Sequence, residues 1–320
     1  MKNLNIVLFT AILSLTGNTV WANNNTESNG KESNSAVATA STFYINAPRF
    51  VRPLLEKWIA EYKKIDQHAN FAIAKTAESR NNSVLNIQLN ETSNNDLARR
   101  TVYFAEYAIL PVTGKNSEAV KTLAKQELNT KTIKSLFFEK DDFEELDKND
   151  KKASAYVVYT GNSKQSVSAE FASHYGKDIS NFRGKRIAGD DQFLNTAIAN
   201  DPKGITFNAV PNIYDLSTRK LKTNLALLPL DVDKNIRQAF AEETTLDEFI
   251  RIVETNKSTN IPIERIGLSY ADNDTRITNF IAWILAEGES YNHDYGLLRL
   301  DSKFVAQQAK ELTSRLTAQK

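Results

Sequence analysis

Thr42-Phe43-Tyr44-Ile45, then Asn46-Ala47-Pro48-Arg49-Phe50, then Leu54, Leu55, Trp58, Ile59 and Tyr62 at helical spacing: this stretch decides the fold class. A short apolar run, a polar turn and an amphipathic helix form the opening of a βαβ unit. Working outward, Phe71-Ala72-Ile73-Ala74 and Val84-Leu85-Asn86-Ile87-Gln88-Leu89 repeat the strand pattern. Val102 to Leu110 is a longer strand that the sequence predicts to end at Pro111. Leu123, Leu128, Ile133, Leu136 and Phe137 mark short helices, and Ala155-Tyr156-Val157-Val158-Tyr159 is a strand of buried type. A helix over Val167 to Tyr175 follows, then strands at Gly204-Ile205-Thr206-Phe207 and Leu225-Ala226-Leu227-Leu228. Ile277, Phe280, Ile281, Ile284 and Leu285 give a helix with a wide apolar face, and Ser302 reads as the N-cap of a last helix carrying Val305, Ala309, Leu312 and Leu316. This alternation predicts an α/β fold with mainly parallel or mixed sheets.

The composition narrows the function classes. The chain has 320 residues, 41% hydrophobic, with 40 Lys+Arg against 39 Asp+Glu and a formal charge of +1. No basic excess exists to attract nucleic acid or an anionic membrane surface at long range, so a charged ligand must be met by a local site. The absence of cysteine removes thiolate metal sites, cysteine nucleophiles, disulfides and a lipid-bearing cysteine. The histidines, His68, His174 and His293, are far apart and belong to no metal-ligand spacing.

The first segment reads as an address. Lys2 precedes the apolar run Ile6 to Leu15, and Val20-Trp21-Ala22 presents small residues for cleavage after Ala22. The run is about half the roughly 20 residues that a membrane-crossing helix needs, so residues 1–22 are expected to be a signal peptide and the product exported, periplasmic or secreted. Residues 23–40 are Asn/Ser/Ala-rich without apolar period and read as a disordered linker. Glu139 to Lys152 is dense in both charge signs and reads as a solvated connection.

Motifs for covalent chemistry are missing. There is no Gly-x-Ser-x-Gly elbow, no Gly-x-x-x-x-Gly-Lys-Ser/Thr loop and no Gly-x-Gly-x-x-Gly fingerprint, so nothing signals an enzyme, a cofactor or a metal. Polar turns between strand and helix are different, because the first amides of a helix have no internal partner and favour an anion. Three stand out: Asn46 to Phe50, Thr76 to Ser83, and Thr160-Gly161-Asn162-Ser163-Lys164-Gln165-Ser166.

The order of segments resembles the periplasmic phosphate-binding proteins of ABC transporters (PstS-like), members of the type II solute-binding superfamily. Phe280-Ile281-Ala282-Trp283-Ile284-Leu285-Ala286-Glu287-Gly288-Glu289-Ser290-Tyr291 and Tyr295-Gly296-Leu297-Leu298-Arg299-Leu300 are similar to the family's terminal helix and the segment after it. Leu54 to Tyr62 is similar to its first helix, Asn129 to Phe138 to its Leu-Thr-x-x-x-Leu-x-x-Ile-Phe motif, and Asp201 to Phe207 to its Pro-Gly-Ala-Ile-Gly-Tyr turn. The family's Thr-Phe pair falls on Arg49-Phe50, and its second-turn serine falls near Ser79, beside Arg80. Its third turn, Arg-x-Asp-Gly-Ser-Gly-Thr, falls on Tyr159 to Ser166, which keeps hydroxyls and lacks the arginine, the aspartate and both glycines at their places. Its proton-accepting aspartate falls around Asn90-Glu91.

The resemblance implies a two-lobed, Venus-flytrap α/β fold with two hinge-crossing segments, Ala108 to Val112 and Ile263 to Leu268. Residues 41–110 and 263–320 would form the first lobe and residues 111–262 the second. The ligand-binding residues it implies are Arg49, Phe50, Ser79, Arg80, Thr160, Asn162, Ser163, Gln165 and Ser166. Arg49 could stand in for the missing arginine, since a guanidinium matches two oxyanion oxygens. The expected ligand is phosphate or a related small oxyanion, the expected partner a membrane transporter, and the working unit a monomer without catalytic residues. The alternative is a non-transport relative, a sensor input or envelope assembly factor acting through protein contacts. A third reading is a binder of an organic phosphate or carboxylate, with Tyr159 offering a stacking or hydrogen-bonding surface.

Overall fold

In the computed structural model a single strand of 16 residues, β4 (Arg99–Gly114), runs through both halves of the molecule and organises it. Residues 42–89, 99–140, 153–256, 258–271 and 274–318 are described. The expected signal peptide and linker, Asn90 and Glu91, and most of the charged connection (141–152) lie outside them.

The first half is built from β1 (Phe43–Asn46), α1 (Arg52–Ile65), β2 (Phe71–Ile73), α2 (Ala77–Asn81) and β3 (Leu85–Gln88). After β4 come α3 (Glu118–Thr122), α4 (Thr130–Phe137), β5 (Val157–Gly161), α5 (Val167–His174), β6 (Lys185–Ile187) and α6 (Gln192–Ala199). Then follow β7 (Gly204–Ala209), α7 (Val210–Ile213), β8 (Tyr214–Asp215), β9 (Lys220–Leu221), β10 (Leu225–Leu227) and α8 (Leu246–Thr255). The chain closes with β11 (Ile263–Ala271), α9 (Thr275–Ala286) and α10 (Ser302–Ala318).

The main sheet has the order β2-β1-β3-β11-β4-β7-β5-β6, with β10 also on β4. β1 lies parallel to β2 and β3, and β5 parallel to β6 and β7, whereas β11 is antiparallel to both β3 and β4. β4 pairs with β11 over Arg99 to Ala108 and with β7 over Ile109 to Thr113, so one strand leaves the first half of the sheet and enters the second. β11 brings the chain back at Ile263, opposite Ala108. β4 and β11 are thus the two segments that cross between the halves.

Pro111 does not end β4, contrary to the sequence expectation. Its carbonyl accepts from the Leu228 N–H at 2.9 Å, and β10 stops one residue earlier, at Leu227 opposite Val112. A residue's N–H and C=O point to the same side of a strand, so the bond Pro111 cannot donate falls where β10 ends. The N-cap of α10 is also shifted: the Asp301 carboxylate, rather than Ser302, accepts from the amides of Lys303 and Phe304.

Each half has its own aromatic core. In the first, Trp58 is fully buried, packs edge-on against Phe104 at 4.8 Å and donates its indole N–H to Gly288 O at 2.8 Å. Phe71 stacks on Phe280 at 4.3 Å beside Tyr62. In the second, Phe171 stacks on Phe207 at 3.8 Å, with Phe137, Phe138 and Phe182 around them. A third tie joins the halves: Arg219 donates to the carbonyls of His293 and Asp294, each at 2.8 Å, in a segment that also binds β4 through the Asn292 side chain and Phe104 O.

Among the described residues, no helix is long and apolar enough to cross a membrane, and no group of His, Asp or Glu could hold a metal ion.

Candidate functional site

The turn after β1, helix α2 and the end of β3 in the first half face two strand-to-helix turns of the second across a cleft of about 400 Å³. The first wall carries Asn46, Ala47 and Pro48 from the turn after β1, Arg52 at the start of α1, Arg80 from α2, and Ile87 to Leu89 at the end of β3. The second carries Ser163 to Ser166 before α5 and Gly189 to Asp191 before α6. A site at the carboxyl ends of strands where two halves of an α/β molecule meet is a common position for small ligands.

The sequence-derived residues separate into groups. Arg80, Ser163, Gln165 and Ser166 line the cleft together. Arg80 is exposed, and among the described residues its guanidinium has no ion pair or hydrogen bond. Arg49 stands at the rim, half exposed, with its Nε 3.8 Å from the Asp190 carboxylate of the opposite wall and its guanidinium 5.9 Å from the Phe193 ring. It bridges the two walls instead of lining the cavity. Phe50 points into the core against Tyr107. Ser79 is buried in a capping box with Thr76, whose backbone N–H it receives at 3.0 Å, so its hydroxyl is committed within α2. Thr160 is fully buried, receives a long bond from Arg186 and lies off the cavity; Asn162 is exposed but outside its lining.

Residues that the sequence reading did not single out complete the site: Arg52, Gln88, Asp190 and Asp191. Arg52 is held by Nε donating to Ala47 O at 3.1 Å, which fixes its guanidinium beside the first turn. Asp190 accepts from the Gln192 N–H at 3.0 Å. Gly189-Asp190-Asp191, a glycine and two carboxylates just before a helix, was a readable turn signal, yet nothing local placed it opposite Arg80.

Asp191 has the least ordinary surroundings. It is the N-cap of α6, where an aspartate side chain commonly caps its own helix, but it makes no such bond. Its Oδ2 instead accepts the N–H of Val167, first residue of α5, at 3.2 Å. Ser166, the N-cap of α5, leaves that place open because its hydroxyl donates to Ser163 O at 2.6 Å. Gly161 makes room for the carboxylate, since a Cβ there would sit 3.2 Å from Asp191 Oδ1. That Oδ1 is buried and has no partner among the described residues. The backbone is pinned from behind, with Asn208 donating to Asp191 O at 2.8 Å and also to Asn195 Oδ1. Burial pushes the Asp191 carboxyl up to about 6; the Val167 N–H works against this and neighbouring Asp190 adds to it.

The walls therefore differ in sign. Arg52 and Arg80 make the first cationic; Asp190 and Asp191 make the second acidic, tempered by Lys164. The arrangement can hold a ligand by hydrogen bonds and charge; among its described residues no nucleophile and base are paired.

No protein-family model matches the sequence, and no curated protein matches it. Solved structures share its fold. A protein of Clostridium perfringens described as a phosphate ABC transporter substrate-binding protein, solved with bound phosphate, superposes with a TM-score of 0.58 at 13% identity, covering 82% of this chain and 100% of that one. An ABC-type phosphate transport receptor of Vibrio cholerae gives 0.51 at 10% identity, covering 81% and 100%. The chain thus shares its two-lobed α/β fold with these proteins.

Proposed function

We propose that this chain is an exported solute-binding protein that holds a small oxyanion, phosphate or a compound bearing such a group, between its two lobes and delivers it to a membrane transporter. The observation that carries the reading is Arg80: a guanidinium without a partner among the described residues, in a cleft between two lobes joined by hinge strands, with Arg52 on the same wall. Guanidinium groups match two oxygens of a phosphate or carboxylate with parallel bonds. We take residues 41–110 and 263–320 as one lobe and 111–262 as the other, and residues 1–22 as the leader removed on export. A ligand bonded to both walls favours the closed arrangement by the contacts added on closing. The solved structures of the same fold, described as phosphate-transport proteins, support this reading.

A second reading is a relative that acts through protein contacts. It is supported by Asp191, which fills the start of α5 with the chain's own carboxylate.

Thermal unfolding of protein purified from the cell envelope, stripped of ligand, tests the choice. Millimolar phosphate, sulfate, molybdate and a carboxylate are compared on the wild type and Arg80→Ala. Ligand at 100 times its dissociation constant adds about 2.7 kcal/mol, a shift of several degrees. A shift with an oxyanion that Arg80→Ala abolishes supports solute binding; no shift with any of them favours the second reading.

A further inference from the structure

The sign difference between the walls narrows the ligand, and the argument rests on the solute-binding reading above. A bare dianion in this cleft would meet Arg80 and Arg52 on one side, but on the other it would face Asp190 and the carboxylate that already occupies the first amide of α5. Like charges at close range are unfavourable, and the helix end that would attract an anion is already in use. The cavity of about 400 Å³ lies in the range of sites for small organic molecules. Asp191 Oδ1 is buried against Gly161 with no partner among the described residues, so this carboxylate acts on the cleft through its charge.

We propose that the cleft takes an amphoteric solute, with its phosphate or carboxylate on Arg80 and Arg52 and a primary ammonium on the acidic side, drawn there by the charges of Asp190 and Asp191. The ammonium meets the two carboxylates of the second wall, and the acid group the two guanidinium groups of the first. Asp191 then acts as the residue that sets specificity, disfavouring the plain oxyanion.

Calorimetric titration separates this from the broader reading. Phosphate, 2-aminoethyl phosphate and ethanolamine are titrated into the wild type, Asp191→Asn and Arg80→Ala. The wild type should bind 2-aminoethyl phosphate at least about tenfold tighter than phosphate, a difference of about 1.4 kcal/mol. Asp191→Asn should bring the two within about threefold, mainly by strengthening phosphate, and Arg80→Ala should weaken both about tenfold. Phosphate bound as tightly as 2-aminoethyl phosphate by the wild type would overturn the amphoteric ligand and leave the oxyanion reading standing. A preference unchanged in Asp191→Asn would overturn the role of that carboxylate. No binding of either phosphate compound would overturn both readings.

Discussion

The carboxylate of Asp191 accepts a hydrogen bond from the backbone N–H of Val167 at 3.2 Å, so the N-terminus of one helix in the second lobe is capped by the residue that begins the next. An internal anion thereby takes the position that a helix start offers to an external one. The cleft is left with a cationic wall and an acidic wall, and this division governs what it can hold.

The same carboxylate makes stability depend on pH. Its folded value of about 6 lies above the ordinary 3.8, so between these values the native state keeps a proton that the unfolded chain has released. Stability then falls as pH rises through that interval and levels off above it. The difference corresponds to at most about 3 kcal/mol. Urea unfolding of the wild type and Asp191→Asn from pH 4 to pH 8 should show the wild type losing stability relative to the variant as pH rises; parallel curves would remove Asp191 as the cause.

Glu289 presents a similar case away from the cleft. Its carboxyl is pushed up to about 7 by burial, opposed by Arg299, and its Oε1 is buried without a partner among the described residues. The charged form is again the costly one, so the stability it affects is present at acid pH and lost as pH rises from 4.5 towards 7. Glu289→Gln should raise the melting temperature at pH 8 and change it little at pH 5. A lower melting temperature at pH 8 would mean the charge has a stabilising partner.

Arg219 ties the second lobe to the segment after α9. It adopts a positive φ of 61° while donating to His293 O and Asp294 O and pairing with Asp247 at 2.6 Å. Loss of these bonds in Arg219→Ala should cost about 1–3 kcal/mol in denaturant unfolding. Arg219→Gly should cost about 1 kcal/mol less than the alanine variant, because glycine accepts that backbone conformation freely.

Gly184 allows β6 to approach β5. Its φ is +88°, and a Cβ there would run into the carbonyl oxygen of Val158. Gly184→Ala should destabilise the chain by at least about 2 kcal/mol, read as a lower denaturation midpoint. An unchanged midpoint would show that the two strands can separate without loss.

Much of the fold was legible because its elements advertise themselves locally. The run from Phe43 to Ile45 and the spacing of Leu54, Trp58 and Tyr62 gave β1 and α1, and Ile277 to Leu285 gave α9. Pro111 misled because its strand partner ends beside it, a fact of long-range pairing. The cleft was half legible. Arg80, Ser163, Gln165 and Ser166 stand in polar turns that the sequence displays, and the structure gathers them. Ser79 and Thr160 stand in the same turns, but their hydroxyls are taken by Thr76 and Arg186. Asp191 was illegible in its role: an aspartate before a helix reads as that helix's own cap, and only tertiary packing turns it towards Val167.

The account stands most directly on ligand uptake by the cleft. Equilibrium dialysis of the purified chain against radiolabelled phosphate and radiolabelled 2-aminoethyl phosphate measures it, with Arg80→Ala in parallel. Saturable uptake of one ligand per chain is expected, stronger for the amino compound and weakened in the variant. Uptake of neither compound, or equal uptake by Arg80→Ala, would contradict it.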